Sequence, residues 1–398
     1  MKTTQWLVVF LLGLFVPFCF LAISRTQEKV ASTGQYFAYV GTYTTSGDWR
    51  GQTKSKGIYG YRFDPEKGAF TLMGVAAETI DPSFLAVHPS EKYLYAVNEI
   101  GNFNGGITGA VSAFAIDRKT GALKLLNQVS SRGAGPCHLS VDKTGNFVLV
   151  ANYDSGSVVS FPVRDDGSLG PSRGFVEHSG SGPNKERQAG PHAHWIGTSP
   201  DNRFALAVDL GLDEVVVYRF DSAMGRLTPS LPGFAKLNPG AGPRHFAFHP
   251  SGKFGYVVNE LDSSVTAFSF QPSDGSLKTL QTTSTLPKDY TGKKSSAEIV
   301  VHPSGRFLYA SNRGYDSVAI FTIDPARGTL TSIGQVPTKG KTPRHIAIDP
   351  TGTFLFAENQ QSNNIVVFRI DPATGSLAPT DQVVEVQAPV CMIFIAAE

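Results

Sequence analysis

The sequence predicts an all-β fold, a seven-bladed β-propeller with four antiparallel strands per blade, and three observations carry that prediction. A phrase of the type His-Pro-Ser-Gly, followed by an apolar run and then Asn, recurs along the chain with fixed internal spacing. Its copies succeed one another at a period of about 53 residues, room for four short strands and their turns. The chain ends are complementary, because the first copy lacks a strand that the last residues have in excess.

The phrase is clearest at His249-Pro250-Ser251-Gly252, leading to Asn259, and at His302-Pro303-Ser304-Gly305, leading to Asn312. Related copies run from Pro89 to Asn98, Lys143 to Asn152, Pro200 to Asp209 and Pro350 to Asn359. After each Asn or Asp come a β-branched residue and an aromatic, as in Val158 and Phe161, Val265 and Phe268, or Ile365 and Phe368. The second copy delays this pair, Val111 and Phe114, behind a Gly-rich insertion from Gly101 to Gly109. Most copies close with Gly-x-Leu, for example Gly225-Arg226-Leu227 and Gly328-Thr329-Leu330. Gly41 fits the Asn slot of a first copy, which completes seven. A linear solenoid would need polar capping repeats. Here Pro389-Val390-Cys391-Met392-Ile393-Phe394 resembles the inner-strand segment Pro343–Ile348, so it can complete the first blade and close a ring.

Composition agrees. Of 398 residues, 41% are hydrophobic and 17% charged, with 41 glycines and 25 prolines, which excludes disorder and a helical bundle. A net charge of +2 without any basic run excludes a dedicated nucleic-acid binder. Lys2 precedes an apolar stretch from Trp6 to Ile23, and Ala22-Ile23-Ser24 offers a small-x-small cleavage site. Residues 1–24 therefore read as an export signal, with an uncleaved membrane anchor as the alternative. Residues 25–398 form the propeller, placed in the periplasm or secreted. Cys19 leaves with the leader, and the spacing of Cys137 and Cys391 does not demand a disulfide. Nothing in the repeat specifies an oligomeric state.

In a propeller the first strand of each blade lines the channel and the second pairs antiparallel with it. The start of one and the end of the other thus share one end of the channel. The starting slot holds Ser83, Cys137, His194, Arg244, Ala297, Arg344 and Val390; the next holds Phe84, His138, Trp195, His245, Glu298, His345 and Cys391. The slot after the Asn or Asp holds Thr42, Glu99, Tyr153, Leu210, Glu260, Arg313 and Gln360. Charged groups converging on one funnel are costly unless paired or wetted, so their presence marks a site for an anionic or oxygen-rich ligand. His194, Arg244, Glu260 and Arg313 are the catalytic candidates. His192, His245, Glu298, Arg344, His345, Asn259 and Asn312 are the substrate-binding candidates, although the repeating Asn slot also suits a turn-holding role. His88, His249 and His302 precede proline or its turn at the opposite end and read as structural. No metal is expected: Pro191-His192-Ala193-His194 lacks a clear third ligand.

These residues carry a resemblance. Gly190-Pro191-His192-Ala193-His194, Gly242-Pro243-Arg244-His245, Val258-Asn259-Glu260, Ser311-Asn312-Arg313-Gly314 and Pro343-Arg344-His345 resemble, in order, the seven-bladed lactonase family of bacterial 6-phosphogluconolactonases and fungal carboxy-cis,cis-muconate cyclases. The resemblance implies hydrolysis, or the related formation, of a sugar-acid or carboxylated lactone without metal or other cofactor. Glu260 or His194 would activate water, and Arg244 and Arg313 would bind an anionic group or the oxyanion. The leader departs from the cytoplasmic location of 6-phosphogluconolactone and leaves the particular lactone open. A non-catalytic binding propeller of the envelope and a cation-dependent lactonase or muconate-type lactonising enzyme are the alternatives.

Overall fold

Apolar and β-branched runs interrupted by Gly, Pro and Asp turns leave room only for short strands, the longest being Arg226–Lys236. The computed structural model describes Met1, residues 35–47 and residues 50–398. The leader and the boundary expected after residue 24 lie outside the described residues. The described strands form seven four-stranded antiparallel sheets, with one 3-10 turn at Gln360–Ser362.

The first blade is built from both ends of the chain. Pro389–Ala396 is its inner strand, followed outward by Tyr36–Thr42, Gly57–Asp64 and Ala69–Glu78. Tyr36 pairs with Ala396 and Val40 with Met392, so ring closure is a backbone ladder. The inner strands, such as Ala193–Thr198, Pro243–Phe248, Ser296–Val301 and Pro343–Ile348, contact one another in succession around the axis.

The core lies between blades. Phe63 of the first blade packs edge-on against Phe354 and Phe356 of the seventh, with ring centroids 6.1 and 5.5 Å apart. The closing Gly-x-Leu motif has a physical reason at Gly328. Its φ is +70°, and a Cβ there would run into the ring of Phe254 in the preceding blade. The Gly328 carbonyl also accepts the Tyr256 hydroxyl at 3.1 Å. His249 and His302 tie the opposite end: each ring bonds its own turn serine through Nδ1 and the next blade's Gly305 or Gly352 carbonyl through Nε2 at 2.9 Å.

One slot is shifted by a residue. Thr42, rather than Gly41, pairs with Pro389 and so occupies the Asn position of the first blade. Its hydroxyl bonds Ser55 and the Gly57 carbonyl, both at 2.6 Å, doing with Oγ1 what asparagine does elsewhere. Tyr43, rather than Thr42, therefore stands in the slot of Glu260.

Candidate active site

Most inner strands enter the funnel through a β-bulge. The register slips between Pro136 and His138, Ala193 and Trp195, Pro243 and His245, and Pro343 and His345. The skipped residues are Cys137, His194, Arg244 and Arg344. A bulge releases one side chain from strict alternation and re-aims it. Consecutive residues such as Arg244 and His245 can then both serve the channel.

Glu260 is the electrostatic centre. It follows Asn259 at the end of its strand and is 5% exposed. Arg313 Nη2 lies 2.7 Å from its Oε2, Arg187 Nη2 lies 2.7 Å from its Oε1, and Arg244 Nε approaches Oε2 at 3.3 Å. Arg244 also donates to the Ala297 carbonyl at 2.7 Å. Burial alone would push the Glu260 carboxyl up. Arg313, Arg187 and Arg244 together outweigh burial and hold it far below the usual carboxylate range. Burial, reinforced by Arg344 and Arg313, brings Arg244 down to about 10.

Above this cluster opens a cavity of about 780 Å³, within the usual span for small-molecule sites of roughly 300–1,000 Å³. His194, Glu260, Arg313 and Arg344 line it, together with Cys137 and Tyr153. Its cationic side chains (Arg50, Arg187, Lys293, Lys294, Arg313 and Arg344) outnumber its carboxylates (Asp81, Glu99, Asp154 and Glu260) by six to four, which favours an anionic ligand.

His194 is 4% exposed and lines the wall. Burial first, then Arg244, His245 and Arg344, push its imidazole well below the ordinary range, so the ring is neutral at pH 7. Tyr153 meets it edge-on, with centroids 5.4 Å apart. His192 backs that tyrosine, stacking at 4.4 Å and bonding the Tyr153 carbonyl at 3.0 Å. Arg344 packs over the Tyr43 ring at 5.3 Å.

Besides Arg244 and His192, three other candidates sit outside the cavity wall. His245 Nδ1 is 2.9 Å from both Glu298 oxygens, and His345 spans from Glu298 at 3.6 Å to Glu358 at 3.0 Å. Burial pushes Glu298 and Glu358 up and His245 and His345 down, so these buried pairs favour neutral forms. Asn259 and Asn312 are fully buried and do not line the cavity; their amides face neighbouring backbone and hydroxyl groups. Asn259 Nδ2 donates to Ser264 and Thr266, and Asn312 Nδ2 to the Thr285 carbonyl, which is turn chemistry.

Repeat alignment missed Arg187, Arg50, Lys293 and Lys294, because all four lie on connections outside the repeating strands. Arg187 is placed by its neighbour Gln188, whose fully buried amide donates to the Leu210 carbonyl and Asp213, both at 2.8 Å. Arg50 is held against Asp81 at 2.6 Å. Tyr43 was hidden by the one-residue shift, and its hydroxyl donates to Glu99 at 2.9 Å. Among the described residues no group of three or more His, Cys, Asp or Glu is arranged to hold a metal ion.

Comparison with known proteins places this geometry. Residues 37–394 match the family model described as lactonase, 7-bladed β-propeller. The chain is 40% identical over 310 residues to the 6-phosphogluconolactonase of Bacillus subtilis (strain 168), covering 78% of this chain and 84% of that protein. It is 38% identical over 309 residues to a 6-phosphogluconolactonase of Formosa agariphila, covering 77% and 84% respectively. The solved structure of the Pseudomonas aeruginosa periplasmic gluconolactonase superposes with a TM-score of 0.83 at 35% identity, covering 92% of this chain and 100% of that one. With the family match spanning the ring and both strands of its closure, the chain belongs to the seven-bladed β-propeller lactonase family.

Proposed function

We propose that the protein is a 6-phosphogluconolactonase-like lactonase, a carboxylic-ester hydrolase that opens a sugar-acid lactone in the axial cavity. The observation that carries this reading is a neutral histidine, His194, facing the same positively charged enclosure as Arg313 and Arg344. The names of the relatives, 6-phosphogluconolactonase and periplasmic gluconolactonase, support the substrate class.

In this mechanism His194 takes a proton from water as the water oxygen attacks the lactone carbonyl carbon. One positioned base of this kind contributes about 10²–10⁴-fold. Arg313 and Arg344 stabilise the oxyanion of the tetrahedral intermediate and the substrate's anionic group. The ring C–O bond then breaks, and the alkoxide recovers the proton from His194. Both Glu260 oxygens are already engaged by arginines, so it does not serve as the base in this mechanism. Its role is to fix Arg187, Arg244 and Arg313 against one another. His192 supports Tyr153, while His245, Glu298 and His345 support the site from outside the cavity wall.

The reading includes export, with the leader of residues 1–24 removed and residues 25–398 acting outside the cytoplasm. Lys2, the apolar run and the Ala22-Ile23-Ser24 site support it, as does the likeness to a periplasmic gluconolactonase. Mass spectrometry of the protein from cell fractions tests it; an intact Met1 in the cytosolic fraction refutes export. The activity is tested on a lactone panel, phosphorylated and not, with His194→Gln and Arg313→Ala. Wild-type rates in both variants would remove the proposed site.

A further inference from the structure

Cys137 and His194 occupy the same bulged slot on adjacent blades, and both line the cavity. Cys137 is 6% exposed and His194 4%. Their contact is direct, with Cys137 Sγ 3.6 Å from His194 Nδ1. Among the described residues no side-chain hydrogen bond or ion pair engages His194 Nε2, which leaves that nitrogen as the one turned to chemistry.

The surroundings of the sulfur decide the direction of the bond. The Ala193 and His194 carbonyl oxygens both lie 3.7 Å from Sγ, and that of Ala151 lies 3.9 Å away. A carbonyl oxygen can only accept, so these three groups compete for the single thiol proton. Nδ1 is the one polar neighbour able to donate in return. We infer that Cys137 is a positioning residue for His194: its sulfur accepts the Nδ1–H bond and so fixes the tautomer whose bare Nε2 faces the cavity. The inference rests on the reading of His194 as the base that activates water. The ring's tilt is set independently by edge contacts with Tyr153 and His245, at 5.4 and 5.2 Å.

A nucleophilic role for the thiol does not fit. Burial, with the Glu99 charge adding, pushes Cys137 well above the ordinary thiol range, and attack on a carbonyl needs the thiolate. A protonated sulfur can still accept a hydrogen bond. Holding the correct tautomer is how an orienting partner sustains a catalytic histidine in hydrolytic triads.

The test compares Cys137→Val, which keeps bulk but removes the acceptor, with Cys137→Ser, which keeps an acceptor and a donor. Val should lower kcat roughly tenfold or more, part of the 10²–10⁴-fold worth of a positioned base, while KM stays within about twofold. Ser should restore most of the lost rate. Nitrogen NMR of histidine-labelled wild-type protein should show His194 Nε2 unprotonated at pH 7, and Cys137→Val should lose that preference. A Val variant with wild-type kcat, or wild-type protein with the proton on Nε2, overturns the inference. The NMR signal reads the tautomer without turnover. It therefore separates this failure from failure of the base assignment, which would show as full activity in His194→Gln.

Discussion

Glu260 and Arg313, the residues that follow the turn asparagine in adjacent blades, meet at 2.7 Å across the blade boundary. The same repeat position thus supplies opposite charges to one ion pair, and the ring places them together without any local sequence proximity. Because Glu260 also holds Arg187 and Arg244, its removal leaves the buried Arg244 and Arg313 facing each other beside the half-exposed Arg187. Glu260→Gln should lower kcat/KM by about a hundredfold or more. Breaking such a buried pair costs about 3–5 kcal/mol, to be read from urea unfolding. A variant matching wild type in both measurements would deny Glu260 its organising role.

The pH profile should expose His194. Since burial and the neighbouring cations depress its imidazole, the neutral base persists below the ordinary histidine pKa of about 6.5. The acid limb of kcat/KM should therefore fall below that value, with a flat profile through neutrality. His194→Gln should reduce kcat by about 10²–10⁴-fold. An acid limb above pH 7 would assign the limb to a different group.

Arg187 should behave differently from the buried arginines. Its side chain remains 42% exposed while it bonds Glu260 and the Tyr153 hydroxyl. Arg187→Met should raise KM for an anionic lactone several-fold, with a smaller change in kcat and little change in Tm. Equal losses in kcat and kcat/KM would instead place its contact in the transition state.

Glu358 predicts a pH dependence of stability. Its carboxyl is fully buried and pushed well above the carboxylate range by burial, with Glu298 adding to the shift. A raised acid contributes stability that is fully present below the unfolded value of about 4.3 and is lost as pH rises through the folded value. Glu358→Gln should therefore narrow the Tm difference between pH 5 and pH 8. An unchanged difference would show that the folded carboxyl titrates normally.

Gly328 tests the blade boundary. Gly328→Ala forces a positive φ on alanine and drives its Cβ toward Phe254. The expected loss is about 1–3 kcal/mol by chemical denaturation, typical of overpacking. Activity per folded molecule should stay near wild type, because the turn lies outside the cavity wall.

The ring was legible because fold and repeat share one cause: every blade needs the same turn, the same strand-ending hydrogen bond and the same contact with its neighbour. His194, Glu260 and Arg313 stood out as polar departures at positions the repeat makes equivalent, and they line one cavity with Arg344. The same logic could not decide between turn and substrate for Asn259 and Asn312, since a residue that recurs for a backbone reason gives no sign of which way its amide points. Arg187, Arg50 and the two lysines were invisible for the opposite cause. They come from connections whose lengths vary, and only the fixed folds of those connections, such as the Gln188 anchor, bring their charges to the opening. Tyr43 was lost because threonine performs the asparagine's task in the first blade and moves the alignment by one residue.

The shared first blade has a consequence for biosynthesis. Its innermost strand comes from residues 389–396, while the three strands outside it come from the beginning of the described fold. A nascent chain can stack its blades in order as they emerge, but it remains an open arc until residues 389–396 leave the ribosome. Termination before residue 389 would leave an exposed strand edge on the first blade and an unsealed wall beside the axial cavity. Synthesis through this closing strand is thus a structural checkpoint on the enclosure in which the chemistry is proposed to occur.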